Sequence, residues 1–167
     1  AGTANADVSL VYAGLDGSRV PLDWERGAFP YLVSVDWAQA QALIVVQSRD
    51  QRRMQLLSAD PARGTVAVLR EDTDARWLDV VAGVPGWTGD GRIVWTADSD
   101  GTKRLLVAAP AELADGTAAP VTPPGLQVRA VADIDGDTVL FTASGADPTG
   151  VALWTYGPRG LARITPE

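Results

Sequence analysis

The stretch Pro85-Gly86-Trp87-Thr88-Gly89-Asp90-Gly91-Arg92-Ile93-Val94-Trp95-Thr96 decides the fold, because its order of parts occurs three times in the chain. A hydrophobic doublet is followed by a turn rich in Gly or Asp, an apolar run and a small polar step. The three copies begin near Asp36-Trp37, Gly86-Trp87 and Asp133-Ile134, so that successive copies start 50 and 47 residues apart. A period of this length, with about four short strands in each unit, is typical of β-propeller blades.

Further strands can be recognised in each copy, and together they define the predicted blades. The first apolar runs cover residues 43–46, 93–95 and 139–141, the second cover 54–57, 105–109 and 151–154, and the last short strands lie around 66–69, 120–122 and 161–165. We therefore predict a single propeller fragment over residues 1–167, with four-stranded antiparallel blades at 31–72, 73–124 and 125–167. Residues 1–30 are predicted to form the hairpin of a preceding blade. The expected fold class is all-β, a partial β-propeller.

Shorter patterns agree with an all-β chain. Residues 8–12 and 19–24 flank the turn Leu15-Asp16-Gly17-Ser18, which predicts a hairpin. Residues 31–37 alternate with a period of two, which places four side chains on one face: Tyr31, Val33, Val35 and Trp37. Eleven prolines and seventeen glycines oppose long helices, and residues 110–113 are expected to form at most one helical turn.

The composition is that of an acidic globular chain. It has 167 residues, 46% of them hydrophobic, and a net charge of −7, which argues against a nucleic-acid partner. Lys103 is the one lysine. The densest basic cluster, Arg49, Arg52 and Arg53, is interrupted by Asp50 and is interpreted as a solvated hairpin turn. No apolar run approaches the ~20 residues of a membrane span, so we expect no membrane partner.

Cysteine and histidine are both absent. Their absence excludes a disulfide framework, a thiol nucleophile, the Ser-His-Asp triad and most zinc sites within this chain. We therefore expect no catalytic residue, no metal site and no cofactor here. The start, Ala1-Gly2-Thr3-Ala4-Asn5, has no Met and no apolar signal core, which suggests an internal piece of a longer protein. A cytoplasmic location is favoured over secretion, but the compartment is not decided.

Several motifs resemble functional sites without meeting their spacing. Counting from Asp133, a glycine falls fourth and Ser144 twelfth, where a helix-flanked calcium loop needs Gly at the sixth position and Glu at the twelfth. This motif and Asp98-Ser99-Asp100-Gly101 are interpreted as hairpin turns, with a weak surface cation site as the alternative. Gly89-Asp90-Gly91 lacks the rest of a phosphate loop, and Ser144 lies outside a Gly-x-Ser-x-Gly elbow.

Carboxylates and tryptophans give two more candidates. Asp36 and Asp133 occupy matching places in the repeat, but Gly86 takes that place in the second copy, which disfavours a glycosidase-type acid pair. The six tryptophans, at positions 24, 37, 77, 87, 95 and 154, favour packing between blades over contact with a carbohydrate. Trp24 and Trp77 lie outside the repeat alignment and are the candidates for exposure.

A family resemblance rests on an ordered set of motifs over nearly the whole chain. They are residues 1–8 (AGTANADV), 31–37 (YLVSVDW), 47–54 (QSRDQRRM), 75–79 (ARWLD), 140–144 (LFTAS), 147–149 (DPT) and 160–166 (GLARITP). In these motifs the chain resembles the central part of the N-terminal propeller of the dipeptidyl peptidase IV family, which are prolyl oligopeptidase-type serine peptidases.

The resemblance implies an eight-bladed propeller that caps a C-terminal α/β-hydrolase domain with a Ser-Asp-His triad. In such a protein the propeller funnels peptides, and a glutamate pair holds the substrate's free N-terminus, which fixes the release of dipeptides, often after proline. An ammonium group held by two carboxylates would set the reach to the scissile bond.

The chain departs from the family at the positions where catalytic or substrate-binding residues are expected. The acidic motif that should precede the Ala-Gly-x-x-Asn stretch is missing, and Asp23-Trp24-Glu25 falls after that stretch. There is no nucleophile elbow and no triad histidine, and the segment from Leu78 to Trp87 is too short to place the family's propeller arginine. No catalytic residue is carried over, and the substrate-binding residues stay unknown.

Two functional hypotheses follow. The first is a non-catalytic propeller segment of a dipeptidyl peptidase IV-like serine peptidase, whose partners are the remainder of the propeller and an α/β-hydrolase domain. The alternative is a stand-alone propeller-like module that binds protein or glycan. Open blade edges further predict self-association.

Overall fold

The computed structural model describes residues 6–38 and 41–165. The chain forms two compact units, residues 1–78 and 79–167. Among the described residues, no helix is both long enough and apolar enough to cross a membrane.

The first unit contains a hairpin and a four-stranded sheet. The hairpin pairs β1 (Leu10–Ala13) with β2 (Arg19–Leu22), as predicted from residues 8–24. The sheet has the order β3 (Tyr31–Ala38), β4 (Gln41–Gln47), β5 (Arg53–Asp60) and β6 (Thr65–Thr73). Strands that are consecutive in sequence are neighbours in this sheet, and each strand runs antiparallel to the next.

The second unit contains two sheets and one short helix. The three-stranded sheet has the order β7 (Gly86–Trp87), β8 (Ile93–Ser99) and β9 (Thr102–Ala108). The helix α1 (Pro110–Ala114) confirms the single turn predicted there. The last sheet has the order β10 (Gln127–Asp135), β11 (Thr138–Ser144), β12 (Ala152–Gly157) and β13 (Gly160–Arg163). The predicted all-β class is confirmed, as antiparallel sheets that are all open in the described part of the chain.

The sequence repeat corresponds to a shared strand register. In every copy the starting doublet lies on the first strand of a sheet and pairs with the apolar run on the second strand: Asp36 with Leu43, Gly86 with Val94 and Asp133 with Leu140. Asp36 and Asp133 therefore hold equivalent places in sheets that belong to different units.

A bulge in β3 changes which side chains share a face. The pairing with β4 skips Val33, which is the extra residue of the bulge. Since one extra residue shifts the alternation by one, Leu32 shares a face with Val35 and Trp37. The prediction that Tyr31 lies on that face is wrong, because the apolar pattern of the sequence does not reveal a one-residue bulge.

The hairpin and the connection that follows it help to close the core of the first unit. The buried core residues are Leu22, Phe29, Ala42, Ile44, Val46, Leu57 and Ala59. Tyr12 of the hairpin stacks on Trp37 of β3, with ring centroids 5.4 Å apart and an interplanar angle of 7°. Because a fully buried Leu, Ile or Phe contributes roughly 1.5–3 kcal/mol, this cluster is a main source of stability for the unit.

In the second unit the two sheets approach each other at glycines. A Cβ on Gly86 would overlap the Cδ1 of Ile134, and a Cβ on Gly83 would overlap the carbonyl oxygen of Val131. Gly83 also has a φ of 83°, and the Val131 N–H donates to the carbonyl of Ala82 at 2.9 Å. At Gly83 the two backbones are therefore too close for any side chain, whereas at Gly86 the Ile134 side chain fills the space that a Cβ would need.

The predicted last strand of the second copy, at residues 120–122, is not a strand. Pro120 makes a single isolated bridge with Leu106. Thr122 accepts hydrogen bonds at its carbonyl from Arg104 Nε (2.9 Å) and at its hydroxyl from the Leu105 N–H (3.1 Å). Since proline has no N–H to donate to a ladder, the segment makes only one backbone bond of this kind, from the Val121 N–H to the carbonyl of Leu105 at 2.8 Å, and side-chain contacts hold the rest.

Candidate interaction surface

A hydrogen-bonded turn at residues 48–53 joins β4 to β5. The Ser48 hydroxyl donates to the Asp50 carboxylate (2.6 Å) and accepts from the Arg53 N–H (3.0 Å). Asp50 also accepts from the Arg52 N–H at 3.2 Å. Two hydrogen bonds hold the pKa of Asp50 below its ordinary value, because they stabilise the ionised carboxylate. The bond from the Ser48 hydroxyl has the larger effect and the bond from the Arg52 N–H the smaller. Gln51 takes a left-handed conformation, with a φ of 59°.

The segment 74–78 lies directly against this turn. The Asp74 N–H donates to the carbonyl of Arg52 at 3.0 Å, and the Leu78 N–H donates to the carbonyl of Gln51 at 2.8 Å. Leu78 is buried, and its carbonyl accepts from the Gln47 side-chain amide at 3.3 Å. Backbone bonds and one buried side chain therefore fix the segment to the turn.

Asp74 also fixes the two residues that carry the largest exposed side chains of this segment. Its Oδ1 accepts from the N–H of Arg76 at 2.6 Å and from the N–H of Trp77 at 3.1 Å. The Arg52 Nε donates to the carbonyl of Arg76 at 3.4 Å. The structure thus brings Arg52 of the predicted arginine cluster next to the segment that carries Trp77.

Arg53 differs from its neighbours because it is already paired. Its Nε donates to Glu71 Oε1 at 2.7 Å, Gln55 donates to Glu71 Oε2 at 2.7 Å, and the guanidinium carbon lies 4.8 Å from the Phe29 ring centroid. The hydrogen bond from Arg53, and then that from Gln55, lowers the pKa of Glu71. A half-exposed ion pair of this kind adds about 0–1 kcal/mol, so its main effect is to orient Arg53.

We name Arg49, Arg52, Arg76 and Trp77 the basic–aromatic surface. All four residues are exposed, and Trp77 keeps 59% of its surface accessible. A guanidinium group can bind a carboxylate through two parallel hydrogen bonds, and an indole offers a flat apolar face. The arrangement is chemically suited to binding rather than to bond-breaking.

The turn at residues 88–92, between β7 and β8, has the same hydrogen-bonding pattern as the turn at residues 48–53 but contacts a neighbouring sheet. The Thr88 hydroxyl donates to Asp90 (2.6 Å) and accepts from the Arg92 N–H (3.0 Å). Thr88, and then Arg92, lowers the pKa of Asp90. Gly91 takes the left-handed position, with a φ of 83°. The Asp90 N–H donates to the carboxylate of Asp137, at the β10–β11 turn, at 2.8 Å. This turn therefore joins two sheets of the second unit.

A cleft of about 430 Å³ lies at the β11–β12 end of the last sheet. The indole nitrogen of Trp154 is buried there without a hydrogen-bond partner in the described part of the chain, and the Arg163 guanidinium lies 6.0 Å from the Trp154 ring. Asp147, also at the cleft, accepts from the N–H and the hydroxyl of Thr149. A cation and a carboxylate at one cleft favour no single class of ligand.

The Asp-rich motifs form hairpin turns, as predicted. One joins β8 to β9 and the other joins β10 to β11. Asp98 binds the Nζ of Lys103 at 2.6 Å, and the lysine side chain is only 9% exposed. Among the described residues, no group of three or more acidic side chains is arranged to hold a metal ion. Ser144 is buried, and its hydroxyl accepts from Arg129 Nε at 3.2 Å.

The tryptophans divide differently from the prediction. Trp77 is exposed, as expected, but Trp24 is half-buried and donates its indole N–H to the carbonyl of Phe29 at 2.8 Å. The exposure predicted for Trp24 is wrong because the connection after β2 folds back onto the core. Trp37 packs on Tyr12 but stays 48% exposed, so packing in this chain covers about half of it.

The repeated antiparallel strand order, the shared register and the open sheets define the chain as a segment of a β-propeller. A crystal structure of Porphyromonas gingivalis dipeptidyl peptidase 4 has the same fold, with a TM-score of 0.73 and 15% sequence identity. That match covers 95% of this chain and 23% of the other, so the chain spans under a quarter of that protein. It confirms the predicted partial propeller.

The sequence match identifies the family. The family model for the dipeptidyl peptidase IV (DPP IV) N-terminal region matches residues 1–156. The chain therefore belongs to the DPP IV N-terminal region family, as the motifs in the sequence indicated.

The sequence did not predict that the arginine cluster and Trp77 lie together. The one local signal was Asp74, since an Asp side chain often accepts from the backbone N–H groups two or three residues later and so fixes a turn. Nothing local indicates that this turn contacts residues 51 and 52.

Proposed function

We propose that this chain is a non-catalytic propeller segment of a DPP IV-like serine peptidase, in which a separate α/β-hydrolase domain releases N-terminal dipeptides, often after proline. The observation that carries the proposal is membership of the DPP IV N-terminal region family in a chain that has no histidine and no cysteine. A Ser-His-Asp triad needs a histidine base, so the catalytic groups would be supplied by another part of the protein.

The proposal assigns each sheet to a blade. Residues 31–72, 73–124 and 125–167 would form three consecutive blades, and residues 1–30 would provide a hairpin of the blade before them. The remainder of the propeller and the hydrolase domain would be the partners. The shared register of the first two strands in each sheet supports this assignment.

Activity assays test the catalytic part of the proposal. The full-length protein should hydrolyse an Ala-Pro or Gly-Pro chromogenic dipeptide, and the 167-residue chain alone should give no turnover. Turnover by the isolated chain would contradict a purely structural role. A full-length protein that cleaves proteins internally, but not these dipeptides, would contradict the dipeptide-releasing role.

Self-association through open sheet edges is part of the same proposal. β6 has one neighbour in its sheet, β5, and its Val68 is 53% exposed. Unpaired strand edges of this kind can pair with another chain. Light scattering over a range of concentrations should show a dimer or larger species, and a constant monomer mass would contradict this.

A stand-alone module that binds protein or glycan is the second candidate. The exposed Trp77 beside Arg52 and Arg76 favours it, because aromatic and arginine side chains are typical of binding surfaces. The coding sequence after Glu167 separates the two candidates. A downstream Gly-x-Ser-x-Gly elbow supports the peptidase, and a stop codon without one supports the module.

A further inference from the structure

We propose that the basic–aromatic surface binds an acidic segment of a partner polypeptide. Arg49, Arg52 and Arg76 would hold carboxylates of the segment, and Trp77 would pack against an apolar side chain next to them. This adds a binding site to a chain whose proposed role is otherwise that of a scaffold.

The surface is built on a fixed platform. The backbone bonds from Asp74 to Arg52 and from Leu78 to Gln51 join two segments that are more than twenty residues apart in the sequence. The buried Leu78 and its bond from Gln47 anchor the platform to the first sheet. A binding surface that is already ordered loses less conformational entropy when a partner binds.

The left-handed backbone at Gln51 forms part of this platform. Its φ of 59° is uncommon for a residue with a side chain, and the matching position in the turn at 88–92 is Gly91. The carbonyl of Gln51 accepts the hydrogen bond from the Leu78 N–H. A conformation that side chains disfavour is thus retained at the point where the segment 74–78 meets the turn, which is where functional sites often hold such residues.

The charges on the platform favour a carboxylate partner. Glu71 neutralises Arg53, while Asp50 and Asp74 accept backbone N–H groups within the turns and keep their negative charge. The three arginines of the surface therefore outnumber these two carboxylates, which leaves one net positive charge on the platform. Because the whole chain has a net charge of −7, an acidic segment is attracted here and repelled by most of the remaining surface.

The same balance of charge argues for a peptide rather than a nucleic acid. A nucleic-acid strand carries a phosphate at every step and needs a long basic stripe, whereas this surface offers three arginines on an acidic chain. A short acidic segment with one apolar side chain matches three guanidinium groups beside a single indole.

Fluorescence anisotropy on the full-length protein tests the proposal. The probe is a labelled peptide in which acidic residues flank one leucine, and it is compared with the same peptide carrying Asn and Gln in place of the acids. We expect the acidic probe to bind at least about fivefold more tightly, with an affinity that falls as salt is added.

Variants then locate the site. Arg52→Gln combined with Arg76→Gln, and separately Trp77→Ala, should each weaken binding of the acidic probe at least about fivefold. Arg63→Gln is the control for overall charge, because Arg63 is exposed at the opposite end of the same sheet, where it pairs with Asp60 at 2.7 Å. It should change the affinity less than about twofold. Circular dichroism confirms that each variant keeps its β structure.

Three outcomes would overturn the proposal. The first is equal binding of the acidic and neutral probes. The second is an equal loss of affinity in the Arg63 control, which would indicate attraction by overall charge alone. The third is a change of molecular mass in the surface variants without a change in peptide affinity, which would identify a second copy of this chain as the occupant. None of these measurements depends on peptidase activity, so the proposal can fail while the proposed function stands.

Discussion

The turns at residues 48–53 and 88–92 share one hydrogen-bonding pattern but differ in what they contact. In each, a buried hydroxyl donates to the Asp two residues later and accepts the backbone N–H of an arginine at the start of the next strand region. In the second turn Asp90 donates its N–H to Asp137 of the neighbouring sheet. In the first turn the backbone carbonyls of Gln51 and Arg52 hold the segment that carries Trp77.

The difference shows that one local motif can have two roles. The second turn packs against a neighbouring sheet, and the first turn holds an exposed segment in place. Gly91 allows the second turn to take its left-handed residue without strain, and the Nε of Arg92 is held by Asp90 at 2.8 Å. In the first turn Gln51 occupies the left-handed position, and Arg52 reaches the carbonyl of Arg76. The comparison predicts that the two hydroxyl groups contribute equally to stability. It also predicts that substitutions at the two left-handed positions change stability in opposite directions.

The largest expected effect is the loss of the hydroxyl groups. Ser48→Ala and Thr88→Val should each lower the free energy of unfolding by about 2 kcal/mol, because both hydroxyls are buried and each both donates and accepts. Urea denaturation measures this. Thr117→Val is the control, since Thr117 makes the same kind of bond to Asp115 on an exposed turn. A loss in the control as large as in the other two variants would show that burial does not decide the effect.

The left-handed positions should respond with opposite signs. Gly91→Ala should destabilise the protein by about 1 kcal/mol, because alanine disfavours a φ of 83°. Gln51→Gly should be neutral or stabilising by up to about 1 kcal/mol, since it removes the same strain. Thermal unfolding compares the two variants. A destabilised Gln51→Gly variant would mean that the Gln51 side chain makes a stabilising contact, and the two turns would then differ less than proposed.

The contact between sheets should be specific to the second turn. Asp137→Ala removes the acceptor for the Asp90 N–H and should cost about 1 kcal/mol in urea denaturation. Asp135→Ala, at the end of β10 beside the same turn, is the matched control and should change stability by less than about 0.5 kcal/mol. Equal effects of the two substitutions would point to general charge repulsion around the turn.

The smallest expected effect is the dependence on pH. Both Asp50 and Asp90 have folded-state pKa values below the ordinary 3.8, because hydroxyl and backbone N–H groups donate to their ionised forms. Their stabilisation is therefore complete above pH 3.8 and is lost as the pH falls through the lower folded-state values. Carboxyl titration followed by NMR should give midpoints below 3.8 for both. A midpoint at the ordinary value for either residue would show that its turn is open in solution.

The sequence predicted the sheets well because the repeat has a direct physical cause. An apolar run that pairs with the preceding doublet recurs at the same register, so Leu43, Val94 and Leu140 could be placed from the pattern alone. The bulge at Val33 and the loss of a strand at Pro120 could not be predicted. The bulge adds a single residue, which leaves no mark in the apolar pattern. The segment at Pro120 depends on contacts that Arg104 makes from another strand.

The candidate surface was harder to predict because it depends on contacts between distant residues. Arg49, Arg52 and Trp77 were each singled out, but the sequence interpreted the arginines as a solvated turn. The backbone hydrogen bonds to Gln51 and Arg52 bring the two segments together. The periodicity of the sequence does not indicate such bonds. Trp24 was misplaced for the same reason, since its bond to Phe29 needs the chain to fold back on itself.

The burial of Lys103 has a practical consequence for labelling experiments. It is the one lysine of the chain, its side chain is 9% exposed, and its ammonium group is held by Asp98 across the β8–β9 pair. An amine-reactive reagent should therefore modify this side chain only when the pair separates. The rate of its acylation would report local opening of the β8–β9 pair in the second unit.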